Sequence, residues 1–189
     1  MGSEENGATR GVPAGDRLSV FALVIYIPDP LGRFLDDLRR ELVPHSNPHA
    51  HVSVLPPRPL AVEWQAAAGQ ARALTKGWAP FEIEPGGLRV FPVTNVIYLE
   101  IGTGAADLRR MHAAMNAGAL EFEEPFPYYP HITLAQDIPQ QEVSAIYELA
   151  QRRWREYRGS SVFRAERTVF VRNTVDNCWI DLAEYRLGQ

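Results

Sequence analysis

The apolar runs of this 189-residue chain pass through the same order twice. From about 18 to 27, LSVFALVIYI is rich in β-branched and aromatic residues and stops at Pro28, the pattern of a buried strand. Residues 30–43 follow with Pro30 at a first-turn position and Leu31, Phe34, Leu35, Leu38 and Leu42 at helical spacing. A strand at 50–55, an Ala-rich helix from about 60 to 76 closed near Gly77, and two short alternating segments around Gly86-Gly87 complete the first half. Two strand-like segments about a Gly pair predict a hairpin. The second half offers a strand near 94–102, a helix near 104–119, a strand at 131–135, a helix near 139–157, and strands near 161–172 and 177–185. Each half therefore reads β-α-β-α-β-β. Repetition of a whole element order predicts an α+β fold of two similar lobes related by a pseudo-twofold axis.

The second strand of each half carries the same short pattern. HVSV at 51–54 places His51 and Ser53 two apart, and HITL at 131–134 does so for His131 and Thr133, 80 residues later. Residues i and i+2 of a strand share a face, so an imidazole and a hydroxyl can address one small ligand together. Imidazole titrates near neutrality, and two copies facing each other can divide proton removal from proton donation. A phosphodiester suits that constellation: one ring activates the attacking oxygen, the other protonates the departing one, and the hydroxyls hold the phosphoryl oxygens. Such chemistry requires no metal or other cofactor. A packed, hydrogen-bonded strand histidine is the structural alternative for each copy taken alone.

Bulk composition narrows the partners. With 46% hydrophobic residues the chain can bury a sizeable core. A net charge of −4 opposes binding of long nucleic acid, which requires a broad basic face. The single Cys178 excludes an internal disulfide framework, and its apolar surroundings predict a packed thiol in a reducing, cytoplasmic setting. The first 16 residues are polar and Gly-rich, predicting a disordered tail without a signal peptide, and MGSEEN lacks the Ser or Thr of a myristoylation site. No run is long and apolar enough for a membrane-spanning helix.

The paired motifs, together with VLPPRPL after the first, FPVTNVIYLEI between them and YYPHITLAQ at the second, resemble the 2H phosphoesterase superfamily, specifically its 2′-5′ RNA ligase-like branch. The resemblance spans about 18–185. It implies a bilobal fold in which each lobe presents one motif to a central groove, with a mostly antiparallel sheet and flanking helices per lobe. The folded region is then a single domain over 17–189, with intertwined halves of about 17–92 and 93–189. The resemblance further implies metal-independent phosphodiester chemistry on a 2′,3′-cyclic phosphate or 2′-5′ linkage of a small nucleotide or RNA 3′ end. His51 and His131 become the acid/base pair, with the direction of reaction deciding their roles, and Ser53 and Thr133 the phosphate-binding hydroxyls. Ser53 replaces the commoner Thr. Gln136 stands where several relatives carry a basic residue, which weakens the case for an RNA terminus held tightly.

Softer expectations concern the surroundings. Arg58, after a turn expected at Pro56-Pro57, is a candidate for a substrate phosphate or for a solvated loop. Tyr128 and Tyr129 are candidates for stacking a base or packing the rim, with Tyr129 the preferred substrate contact. Phe91 and Tyr98 fit either the groove or the core. Three rivals stand beside the main reading: a zinc-dependent hydrolase using His45, His49 and His51, with His49 and His51 on one strand face; a nucleotide- or RNA-end-binding module without turnover; and a structural domain. The chain is expected to be a monomer.

Overall fold

A computed structural model describes residues 17–189 apart from residues 45, 47 and 48. The tail expected over 1–16 and His45 of the zinc reading lie outside the described residues. Strand β1 (Arg17–Tyr26) leads into helix α1 (Leu31–Leu42), then β2 (His51–Arg58), α2 (Trp64–Thr75), β3 (Phe81–Ile83) and β4 (Pro85–Val90). The second half runs β5 (Ile97–Ile101), α3 (Ala105–Met115), β6 (His131–Ala135), α4 (Val143–Glu156), β7 (Phe163–Ala165) and β8 (Arg167–Thr174), and β9 (Trp179–Arg186) is an addition. Order and element type repeat as the sequence predicts.

The two halves exchange strands. One antiparallel sheet has the order β2-β1-β8-β9 and the other β4-β5-β6, so β8 of the second half completes the first lobe and β4 of the first half completes the second. Equivalent strands β3 and β7 pair with each other, Glu82 opposite Arg164, as two copies of one element must where a twofold axis passes between them. The helices cross over too: α1 lies against β6, and α3 against β2. The result is an α+β fold of two interlocked lobes.

The expected hairpin at Gly86-Gly87 does not form. Both glycines lie inside β4, where the register with β5 slips between Pro85 and Leu88. A Cβ on either would stand only 3.0 Å from the Glu100 side chain, so their function is close approach instead of chain reversal. Gly104, at φ 84°, caps α3 in the left-handed region, where a Cβ would fall 2.5 Å from the Glu82 carbonyl oxygen. Cys178 is exposed, not packed, because residues 175–177 turn the chain between β8 and β9.

The motif strands β2 and β6 are both edge strands, and they approach one another across the lobes. In each, alternate residues go inward: Val52 and Val54 are fully buried on β2, as are Ile132 and Leu134 on β6, which leaves the motif residues His51, Ser53, His131 and Thr133 half-buried on the other face. Burying those apolar side chains is worth about 1.5–3 kcal/mol each, enough to fix the strand's phase against slippage. Strand β2 continues through Pro56 and Pro57, which were expected to begin a turn. An edge position and register slips against β1 spare the ladder the missing N–H groups. Among the described residues no helix is long and apolar enough to cross a membrane.

Candidate active site

Each motif histidine is held the same way. His51 Nδ1–H donates to the carbonyl of His49 at 2.8 Å, and His131 Nδ1–H donates to the carbonyl of Tyr129 at 2.7 Å. A carbonyl only accepts, so Nδ1 carries the proton in the neutral ring and Nε2 keeps its lone pair for chemistry. Repetition of this bond two residues upstream in both lobes extends the internal symmetry from the backbone to the side chains.

A cleft of about 450 Å³ opens between the lobes, with Ser53 on one wall and His131 on the other. His51 and Thr133 do not line it directly. Thr133 stands beside His131 on the same strand face, opposite Tyr98 of β5. Strands β2 and β6 bring His51 toward His131, whose charge disfavours a proton on His51. Desolvation is the larger influence on His51 and pulls its pKa down to about 4, against the hydrogen bond to His49, with the Arg39 cation and His131 adding to the depression. Burial also lowers the His131 pKa, opposed by the Tyr129 carbonyl.

Most of the cleft wall is apolar. Pro56, Pro57, Pro92, Pro125, Phe126 and Pro127 contribute rigid surface, and no Lys or Arg is among the lining residues. Phe91 stacks on Tyr98 at 4.0 Å, and both present their rings edge-on to His131, at 5.1 and 5.3 Å. Phe91 lines the cleft, whereas Tyr98 is buried behind it. Tyr129 is 38% exposed at the rim, beneath the Arg109 guanidinium. Tyr128 lines the cleft but is committed to packing: its ring stacks on His112 at 3.9 Å and its hydroxyl donates to the Ser53 carbonyl at 2.8 Å.

Arg58 requires a correction. It is 2% exposed, its side chain turned into the protein with those of Val52, Val54 and Leu55. Nη2 pairs with Glu124, Nη1 donates to Asn116 Oδ1 at 2.7 Å and to the Leu120 carbonyl at 3.0 Å, and Nε donates to the Pro56 carbonyl at 3.0 Å. The guanidinium is thus spent on the protein, and it anchors the 120–124 segment that leads into the cleft wall.

The zinc geometry is corrected as well. His49 precedes the strand in a left-handed conformation, φ 68°, and its ring lies 5.3 Å from that of Tyr26, so it does not share a strand face with His51. Among the described residues no three His, Cys, Asp or Glu side chains converge as metal ligands.

Sequence reasoning missed Asp36 and Arg39 on α1. Asp36 accepts the backbone N–H of Ala50 at 2.7 Å and of His49 at 3.1 Å, while Arg39 is 7% exposed beside it. The available signal was Arg39 itself, a charge four residues after Leu35 on the leucine stripe of the helix.

Residues 27–177 match the family described as the 2′-5′ RNA ligase superfamily. A protein of Oceanobacillus iheyensis, provisionally named a phosphoesterase, is 33% identical over 78 residues, 41% of this chain and 45% of that one, so the match spans less than half of that relative. The crystal structure of TT0787 of Thermus thermophilus superposes with a TM-score of 0.65 at 17% identity, covering 89% of this chain and 98% of that one. Escherichia coli LigT, solved with ATP, gives 0.62 at 14% identity over 92% and 98%.

Proposed function

This chain belongs to the 2′-5′ RNA ligase superfamily, and from that premise we propose that it is a phosphoesterase opening a 2′,3′-cyclic phosphate or cleaving a 2′-5′ phosphodiester on a small nucleotide or an RNA end. One observation carries the reading: two imidazoles stand on equivalent edge strands that approach one another across the lobes, each with Nδ1 tied to the carbonyl two residues upstream. One ring takes the proton of the attacking oxygen and the other gives a proton to the departing oxygen, so both transfers are met by side chains and no metal is required. Ser53 and Thr133 hold the phosphoryl oxygens, since each shares a strand face with its histidine. Tyr129 and Phe91 supply an aromatic rim for a base.

Scale follows from the walls. A cleft of about 450 Å³ without lining cations favours a mononucleotide or dinucleotide over a long strand. The E. coli neighbour solved with ATP supports the nucleotide class. The exchanged strands support one domain acting as a unit, and our reading takes it as a cytoplasmic monomer.

The test is turnover of 2′,3′-cyclic nucleotides and 2′-5′ dinucleotides, with and without a chelator, by wild type, His51→Ala and His131→Ala. Each substitution is expected to lower kcat about 10²–10⁴-fold, and the chelator to change nothing. Binding without turnover by wild type identifies a binding module instead, and activity lost to chelation and restored by zinc identifies a metal enzyme.

A further inference from the structure

Asp36 and the buried Arg39 of α1 reach His51 by a continuous route that, among the described residues, has no counterpart at His131. Asp36 Oδ1 and Oδ2 take the N–H groups of Ala50 and His49, at 2.7 and 3.1 Å. That grip holds His49 at φ 68°, a conformation a side chain adopts at a cost. In that turn the His49 carbonyl receives the Nδ1 proton of His51. Arg39 completes the group. Its Nη1 lies 3.4 Å from Asp36 Oδ1, and among the described residues its buried Nε has no hydrogen-bond partner. An arginine so buried and so incompletely paired is poor value for stability alone, because desolvating a guanidinium outweighs one long contact.

We propose that Asp36 and Arg39 are positioning residues that fix His51 as the proton acceptor of the histidine pair: Asp36 by setting the turn whose carbonyl holds Nδ1–H, Arg39 by opposing a second cation beside the ring. The inference rests on the acid/base reading above. His51 Nε2 then takes the proton from the attacking water or hydroxyl as its oxygen bonds phosphorus. His131 delivers its proton to the departing oxygen as that P–O bond breaks. The step leaves His51 protonated and His131 neutral, and exchange with water restores both. Among the described residues, the groups around His51 are Asp36 and Arg39 from α1, His131 from β6, Tyr26 from β1 and His49 from the preceding turn. The Tyr26 hydroxyl is itself held by Asp181 at 2.6 Å.

The experiment is a ¹⁵N NMR titration of the imidazoles in the full chain without substrate, for wild type, Arg39→Gln, Arg39→Lys and Asp36→Asn. Removing the charge in Arg39→Gln is expected to raise the His51 midpoint by roughly half a unit or more while His131 stays in place, and Arg39→Lys is expected to restore it. Asp36→Asn keeps only one acceptor, so the neutral His51 ring should acquire a fraction of the Nε2–H tautomer, and kcat should fall more than KM rises. A His51 midpoint unmoved in a folded Arg39→Gln, or moving in step with His131, overturns the role of Arg39. An unchanged tautomer ratio in Asp36→Asn overturns that of Asp36, and this arm stands even where Arg39→Gln fails to fold. If wild type turns over no phosphodiester, the functional reading fails while the titration still answers.

Discussion

Replacing Arg58 by Met separates an internal anchor from a substrate ligand. The guanidinium is 2% exposed and serves Glu124, Asn116 Oδ1 and the carbonyls of Leu120 and Pro56. Methionine fills much of the volume but donates nothing. Glu124 is then left as a largely buried carboxylate whose remaining neighbour is His112 Nε2 at 3.6 Å, and two carbonyls lose a donor. Removing one partner of a buried ion pair costs about 3–5 kcal/mol, chiefly through the charge left stranded. For a chain of this length that corresponds to a Tm lower by roughly 6–20 °C. Urea unfolding should show the midpoint falling with an unchanged slope. The double variant Arg58→Met/Glu124→Leu should recover a large part of the loss, since no charge stays buried. Stability within about 0.5 kcal/mol of wild type, combined with a raised KM, would refute the anchoring role and return Arg58 to the phosphate, that limit being the scatter of ordinary surface substitutions.

Three further outcomes follow from the same geometry. Because both imidazoles sit below their ordinary value, kcat/KM against pH should be bell-shaped on the acid side of neutrality, rising near pH 4 as His51 becomes neutral and falling before about 6.5 as His131 loses its proton; an optimum above pH 8 contradicts this. A depressed histidine pKa means that the unfolded chain binds the proton more readily, so stability is complete above about pH 6.5 and is lost as pH falls toward 4, by at most about 3 kcal/mol from His51; unfolding measured across that window in His51→Gln should be flatter than in wild type. Tyr128→Phe removes the bond to the Ser53 carbonyl and should cost about 1 kcal/mol in urea unfolding, while the stacked ring on His112 keeps the wall in place and kcat nearly intact.

Local periodicity made the motif strands legible. Val52 and Val54, like Ile132 and Leu134, alternate with the motif residues, and a period of two allows only one face for the histidines. The repeated element order foretold two similar lobes for the same reason. Strand partnership was only partly legible: β4 pairs with the next strand along, β5, but β1 pairs with β8 and β3 with β7, choices made by distant packing and not by the residues of the strand. Gly86 and Gly87 carry the composition of a turn yet serve a close approach to Glu100, and the two uses leave the same letters in the chain. Arg58 was mistaken for a loop residue because Pro56-Pro57 looks like a strand's end, whereas an edge strand tolerates both prolines. The Asp36–Arg39 pair is visible only as a flaw in the leucine stripe of α1, and what it touches depends on a turn 13 residues away.

The most direct measurement is a crystal structure with a non-hydrolysable 2′,3′-cyclic nucleotide analogue bound. The account predicts one phosphorus between the two rings, with Nε2 of His51 and Nε2 of His131 each within hydrogen-bond reach, about 3 Å, of different phosphate oxygens. A phosphate held at only one of the two histidines, or seated elsewhere on the protein, would contradict it.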